Sequence, residues 1–323
     1  MKLLLYIKQH KVLSSTALSL ICIAIVYVVL FNNRIHRFLE PMIGIKHIVN
    51  ITPLSQNSKI MNGAYKLCDF HIAASYKSYL PCTNYMDYSS IYSIREILQC
   101  GCRYIDIDVM NSTFGNRAKP VVCNGNPVGN WHYTTALAFE DVIRFIMTFA
   151  FNGQVVNKDD PLILNINFNT WYNKDTINKC AEIITEQCRN KLLDMKYAYS
   201  GRRSGNNIQT TPIQLLLGKL IISTTSDVGG TKMEELVNIY HSKQNANIYK
   251  LTATALPALK DDLLYRLEPL DCGRLKSNYP FTRQFKRGCQ IICMNYTRVD
   301  KHMLQYTEIF KNSAFVLQSQ FQT

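Results

Sequence analysis

The chain has 323 residues, room for one large domain or two small ones, and is 47% hydrophobic, 11% aromatic and 18% charged. With only 14 Gly and 10 Pro it cannot be a collagenous, low-complexity or disordered chain, and it carries ample apolar surface for a core. The net charge of +13 favours anionic partners, but no zinc-finger, RRM or homeodomain signature accompanies it, so no nucleic acid is expected as a partner.

In chain order, residues 1–11 form a short basic tail. Val12–Phe31 then runs for 20 residues without a charge, enough for a helix to cross a ~30 Å hydrocarbon core. The run ends in Leu30-Phe31-Asn32-Asn33-Arg34 rather than a small-x-small cleavage site, so it reads as an uncleaved signal anchor, with a cleaved signal peptide as the rival. Lys2, Lys8 and Lys11 before it nearly balance Arg34, Arg37 and Lys46 after it. The free amino terminus and the generous cysteine count, 11 in all, tip the expectation to a single-pass membrane protein whose main domain is lumenal or extracellular. Residues 32–65 read as a polar stalk.

From about residue 66 short β-like runs alternate with helical patterns. Tyr104–Val109, Pro161–Asn167, Gly218–Ser223 and Cys289–Asn295 have the length of buried strands. Ser90–Gln99, Glu140–Phe151 and Thr176–Met195 show apolar residues at helical spacing, and the polar stretch 226–248 reads as a connection with one amphipathic helix. Such alternation over 250 residues predicts an α/β parallel sheet, most naturally a closed barrel. In the Thr176–Met195 helix, Cys180 and Cys188 share a face, as core residues or as a bridge. No CxxC pair or His/Cys cluster points to zinc.

Several of these strand texts resemble the phosphatidylinositol-specific phospholipase C family. Phe70-His-Ile-Ala-Ala-Ser-Tyr-Lys-Ser-Tyr-Leu80 is similar to its opening F-I-A-S-S-H-N-T-Y-L, and Gly101-Cys-Arg-Tyr-Ile-Asp-Ile-Asp108 to its G-C-R-x-x-E-x-D strand. Lys119-Pro-Val-Val-Cys-Asn-Gly125 resembles P-x-x-x-H-G, Phe139-Glu-Asp-Val-Ile143 resembles F-x-D-V-I, and Pro161–Asn167 resembles P-x-I-L-x-I-E. Ser277-Asn-Tyr-Pro280 with Gly288-Cys-Gln-Ile-Ile-Cys-Met-Asn-Tyr296, and then Phe315-Val-Leu317, follow the family's second half. The resemblance implies a (β/α)8 TIM-type barrel over 66–320, X-like over 66–170 and Y-like over 255–320, with its site at the carboxyl ends of the strands.

That family cleaves a phosphodiester with two histidines and a calcium ion: a base takes a proton from the inositol hydroxyl, an acid protonates the leaving oxygen, and the metal offsets phosphate charge. Carried over by motif, the histidines fall on Tyr76 and Asn124, and neither titrates near neutral pH. The calcium positions fall on Lys77, Asp106, Asp108 and Asn167, and an ammonium repels a divalent ion, so no metal cofactor is expected. Headgroup lysines fall on Ser223 and Thr225, a tyrosine falls on Glu268, and Arg266 remains, which argues against polyphosphorylated lipids. His71 lies five residues before Tyr76, on the opposite face of its strand, and nothing in the sequence positions His132. Two readings of the site stay open: Asp106 and Asp108 pair with Lys77 and Arg103 in a decayed site, or Lys77 replaces the metal in a calcium-free anion site that would bind substrate through Lys77, Arg266, Asp106 and Asp108. The function expected is accordingly a membrane-anchored, catalytically inactive binding or scaffold protein that meets membrane lipid, a phosphatidylinositol-type headgroup or a protein partner. The alternative is a divergent, calcium-independent phosphoric diester hydrolase.

Overall fold

Tyr104–Asn111 is buried on both faces at Tyr104 to Val109, as a strand must be when a sheet lies inside a layer of helices. It belongs to a computed structural model that describes residues 15–28, 51–81, 88–112, 119–128, 130–153, 155–198, 207–240, 248–251, 263–269 and 277–321. The strands are β1 (Phe70–Ser75), β2 (Tyr104–Asn111), β3 (Pro120–Val122), β4 (Gly125–Asn126), β5 (Trp131–His132), β6 (Leu137–Ala138), β7 (Leu162–Phe168), β8 (Leu220–Thr224), β9 (Val237–Tyr240), β10 (Ile248–Leu251), β11 (Leu264–Leu267), β12 (Ile291–Met294) and β13 (Phe315–Leu317). Eight of them run parallel in the spatial order β10-β11-β12-β1-β2-β7-β8-β9. That order is the chain order read around a ring, so the architecture is the expected α/β barrel. No pairing of β9 with β10 occurs among the described residues. β13 runs antiparallel to the first half of β1, with Phe70 opposite Leu317, before β2 takes over at Ala74 opposite Tyr104.

Helices pack outside this ring. α1 (Ile91–Gln99) begins where the Ser90 hydroxyl accepts from the Tyr92 amide, and it buries Ile94, Ile97 and Leu98. α2 (Phe139–Phe151) buries Val142, Ile143, Ile146 and Phe149. α3 (Lys174–Cys188) is capped by the Asn173 side chain and buries Ile177, Cys180, Ala181 and Ile184. It stops at Cys188, short of the Met195 expected; Cys180 and Cys188 are both buried free thiols, so they serve as core rather than as a bridge. α4 (Thr282–Lys286) and α5 (Lys301–Phe310) complete the outer layer.

Two expectations are corrected. No helix among the described residues is long and apolar enough to cross a membrane, so the single-pass anchor over 12–31, with its lumenal or extracellular main domain, is overturned. The helix there is described over residues 15–28; 12–14 and 29–31 lie outside the described residues. The stretch 226–248 holds no amphipathic α-helix among its described residues: a 3-10 turn at Lys232–Glu235 leads into β9, a buried barrel strand. Within residues 51–65, buried Leu54 donates its amide to Asp160 Oδ1 at 2.7 Å and Thr52 donates to the Asn312 carbonyl.

Candidate functional site at the barrel mouth

Strand register assembles the site. Parallel pairing sets Asp106 beside Asn165 and Asp108 beside Asn167, and Asn165 in turn beside Ser223. Because side chains alternate along a strand, 104, 106 and 108 point inward together, while Arg103 points out. Arg103 therefore does not pair with Asp106 or Asp108, as one reading expected. It is fully buried on the outer side of the sheet, where Nη1 donates to the Ala150 carbonyl and Nη2 to Asn157.

Lys77 enters from the turn after β1 with φ 43°, a left-handed conformation uncommon for a side chain of this kind. In that turn its amide donates to Asp106 Oδ2 at 3.0 Å, and its ammonium reaches Asn124 Oδ1 at 2.6 Å and Asp108 Oδ2 at 3.1 Å. Asp108 also accepts from the Tyr79 hydroxyl at 2.8 Å and from Asn167 Nδ2 at 2.9 Å. Asp106 Oδ1 accepts from Asn165 at 2.7 Å, Asn167 at 3.0 Å and Arg266 Nη2 at 3.0 Å. Arg266 reaches Glu268 at 3.1 Å and lies 5.5 Å from the centre of the Tyr104 ring. Ser223 donates to Asn165, and Thr225 to Asn167. Tyr76 stands at the edge, its ring centre 5.9 Å from the Lys77 ammonium.

The structure thus gathers Tyr76, Lys77, Asp106, Asp108, Asn124, Asn167 and Arg266 at the carboxyl ends of β1, β2, β7 and β11 and the loop after β3. Tyr79 and Asn165 join them without having been singled out from sequence. Asn165 was readable, since period-two alternation puts it on the face of Asn167, whereas Tyr79 follows the strand in an irregular turn. The two histidines weighed as replacements lie elsewhere. His71 bonds the Cys289 carbonyl and stacks on Phe285, and burial there lowers its pKa to about 4. His132 bonds the Asn111 carbonyl.

Electrostatics separate the two aspartates. Burial pushes both carboxyls up. For Asp108 the adjacent Lys77 ammonium and the hydrogen bonds from Asn167 and Tyr79 outweigh burial and hold its pKa below the ordinary value. For Asp106 burial prevails over Arg266, with the Asp108 charge adding to it, and the pKa rises. A calcium ion does not fit this donor set. Both oxygens of each aspartate, and those of Asn124 and Asn167, already accept from protein donors, and an ammonium stands among them.

Such a barrel, with a polar cluster at the carboxyl ends of its strands, belongs to the class of α/β barrels that carry their site at that end. Residues 64–225 match the family model described as phosphatidylinositol-specific phospholipase C, X domain, and the chain belongs to that family. It is 31% identical over 118 residues to 1-phosphatidylinositol 4,5-bisphosphate phosphodiesterase 1 of Saccharomyces cerevisiae, covering 36% of this chain and 12% of that protein. It is 28% identical over 156 residues to the eta-1 phosphodiesterase of Mus musculus, covering 48% of this chain and 8% of that one. The matched stretch is therefore a small part of each relative's length. Among solved structures, PLC21 of L. pealei superposes with a TM-score of 0.63 at 19% identity, over 85% of this chain and 40% of that one. PLC21 of S. officinalis gives 0.64 at 18% identity, over 84% and 39%. At these identities the structural likeness speaks to the fold.

Proposed function

We propose that this protein is a catalytically inactive member of the phosphatidylinositol-specific phospholipase C family that works as a binding or scaffold protein. The carrying observation is the Lys77 ammonium, 2.6 Å from Asn124 and 3.1 Å from Asp108. Carried over by motif, Lys77 stands at a position of the family's metal site, and a tethered cation there supports the inactive reading. Proton transfer lacks its agents too, because asparagine does not titrate and a tyrosine hydroxyl ordinarily does so near pH 10. Ser223 and Thr225, at the positions of headgroup lysines, are committed to Asn165 and Asn167. That pattern favours an inositol headgroup without added phosphates, or a protein partner, over the bisphosphate named for the relatives. We take the barrel to be one domain over 66–320.

A second reading has one observation in its favour: Lys77 and Arg266 are cations at the mouth and could stabilise a phosphate without metal. Release of inositol phosphate from phosphatidylinositol vesicles by the full chain, with calcium or with chelator, separates the two. No release in either condition, from wild type or from Tyr76→His/Asn124→His with Lys77 intact, is the expected outcome. Metal-independent turnover by wild type that disappears in Lys77→Ala would establish the second reading instead.

A further inference from the structure

Beside the mouth, and sharing Thr225 with it, lies a cavity of about 410 Å³, within the size range of small-ligand sites. Phe168, Trp171 and Tyr172 supply aromatic surface, and among the described residues Asp227 is the single charged one of the lining, with no Lys, Arg or His taking part. In a chain of net charge +13 this composition is unusual. The nearby Lys174 ammonium lies against Gly230 instead. Thr170, also in the lining, is 1% exposed, and its hydroxyl has no hydrogen-bond partner among the described residues.

The loop that carries the aromatics is built at a cost. Trp171 and Tyr172 have φ of 49° and 57°, the left-handed region where Gly or Asn would be cheaper. Their side chains contribute nothing to the core, being 59% and 74% exposed. A simple strand-to-helix turn needs neither ring, and strained residues of this kind persist where the surroundings hold them for use. The surroundings do hold them: Phe168 donates its amide to Ser226, Asn169 to the Val109 carbonyl, and the Thr170 carbonyl accepts from Asn111 Nδ2 and from the Asn173 amide. The backbone on either side of the two rings is thus held in place.

We propose that this cavity binds an organic ammonium group, taken by the faces of Trp171 and Tyr172 and the Asp227 carboxylate. Aromatic faces attract a weakly hydrated cation through their quadrupole, and a carboxylate with no base beside it in the described lining sets the sign of the ligand. A sugar or a neutral apolar group would use the rings but not the charge. The cavity shares Thr225 with the mouth, but the contacts proposed here are Trp171, Tyr172 and Asp227 and do not involve Lys77, so its failure would leave the inactive-barrel reading untouched.

The test uses the full chain and choline, with its uncharged isostere 3,3-dimethylbutan-1-ol as control. The protein has two tryptophans, and Trp131→Phe leaves Trp171 as the reporter. Saturable quenching by choline, with none from the isostere at equal concentration, is expected. By calorimetry, Asp227→Asn should weaken choline binding several-fold and Trp171→Ala about tenfold, at unchanged thermal midpoint; Tyr172→Ala gives the same reading should Trp171→Ala not fold. Sedimentation with phosphatidylcholine vesicles but not phosphatidylglycerol vesicles, reversed by choline, would identify a lipid headgroup as the source; choline quenching without vesicle binding would identify a free ammonium compound. No saturable choline binding, equal binding of the isostere, or affinity indifferent to both Asp227→Asn and Trp171→Ala overturns the proposal.

Discussion

Replacing Lys77 by Met keeps the length of the side chain and removes its charge, which isolates what the ammonium does. The wild-type group is nearly enclosed, at 11% side-chain exposure against 4% for Asp108. Its loss deletes the contacts to Asn124 Oδ1 and Asp108 Oδ2 and leaves a buried carboxylate without its cation. Breaking a buried pair from one side costs roughly 3–5 kcal/mol. Asp108 keeps the Tyr79 and Asn167 donors, so the lower end, about 3 kcal/mol, is expected. The left-handed backbone at residue 77 is common to both proteins and cancels. Urea unfolding followed by circular dichroism at pH 7.5 and pH 5 measures it. In wild type Asp108 has a lowered pKa, so its contribution is present above the unfolded value and is lost as pH falls through the folded one. In the variant that carboxyl moves up, protonation relieves the lone buried charge, and the deficit shrinks at pH 5. A deficit below about 1 kcal/mol, or one equal at both pH values, would refute the reasoning.

Two further predictions concern stability. His71 has its pKa lowered by burial from 6.5 to about 4, so the stability it provides is complete above 6.5 and is lost as pH falls towards 4. Asp160 is raised by burial from 3.8 to about 6, so its contribution has the opposite sign, complete below 3.8 and lost as pH rises through 6. Between about pH 4 and 6 the two slopes, each up to roughly 1.4 kcal/mol per pH unit, oppose one another. Relative to wild type, His71→Phe should therefore lose stability as pH rises across that window and Asp160→Asn should gain it, read as thermal midpoints; three parallel curves would count against both assignments. Gly125→Ala places a Cβ on the Trp131 carbonyl oxygen and the Met110 sulfur, inside the β4–β5 pair that follows Asn124. It should lower stability by about 2 kcal/mol in the same unfolding assay, and an unchanged midpoint would mean the hairpin yields.

Much of the barrel was legible because its strands are short apolar runs with alternating polar insertions. Tyr104-Ile-Asp-Ile-Asp108 and Leu164-Asn-Ile-Asn167 each state which residues share the inner face, and the register then brings them together. β9 was not legible: Val237-Asn-Ile-Tyr240 is four residues long between polar segments, and local periodicity over so short a run fits helix and strand alike. The charge-free run over 12–31 shows the opposite failure: its apolar length reads as an anchor, yet no helix among the described residues is long and apolar enough to cross a membrane. Arg103 was misplaced by attending to charge before alternation, although its odd offset from Asp106 already puts it on the outer face. The pairing of Lys77 with Asn124, 47 positions away, depends on the turn conformation after β1 and could not be read from spacing.

The most direct test of the central claim, that the barrel mouth is neutralised by its own cation, is a calcium titration of the wild-type chain followed by thermal unfolding. A ligand that binds only the folded state raises the midpoint with concentration. With the Lys77 ammonium already seated between Asn124 and Asp108, the midpoint should stay constant into the millimolar range. A saturable rise that Asp106→Asn abolishes would mean that the cluster opens to a metal, and would contradict the claim.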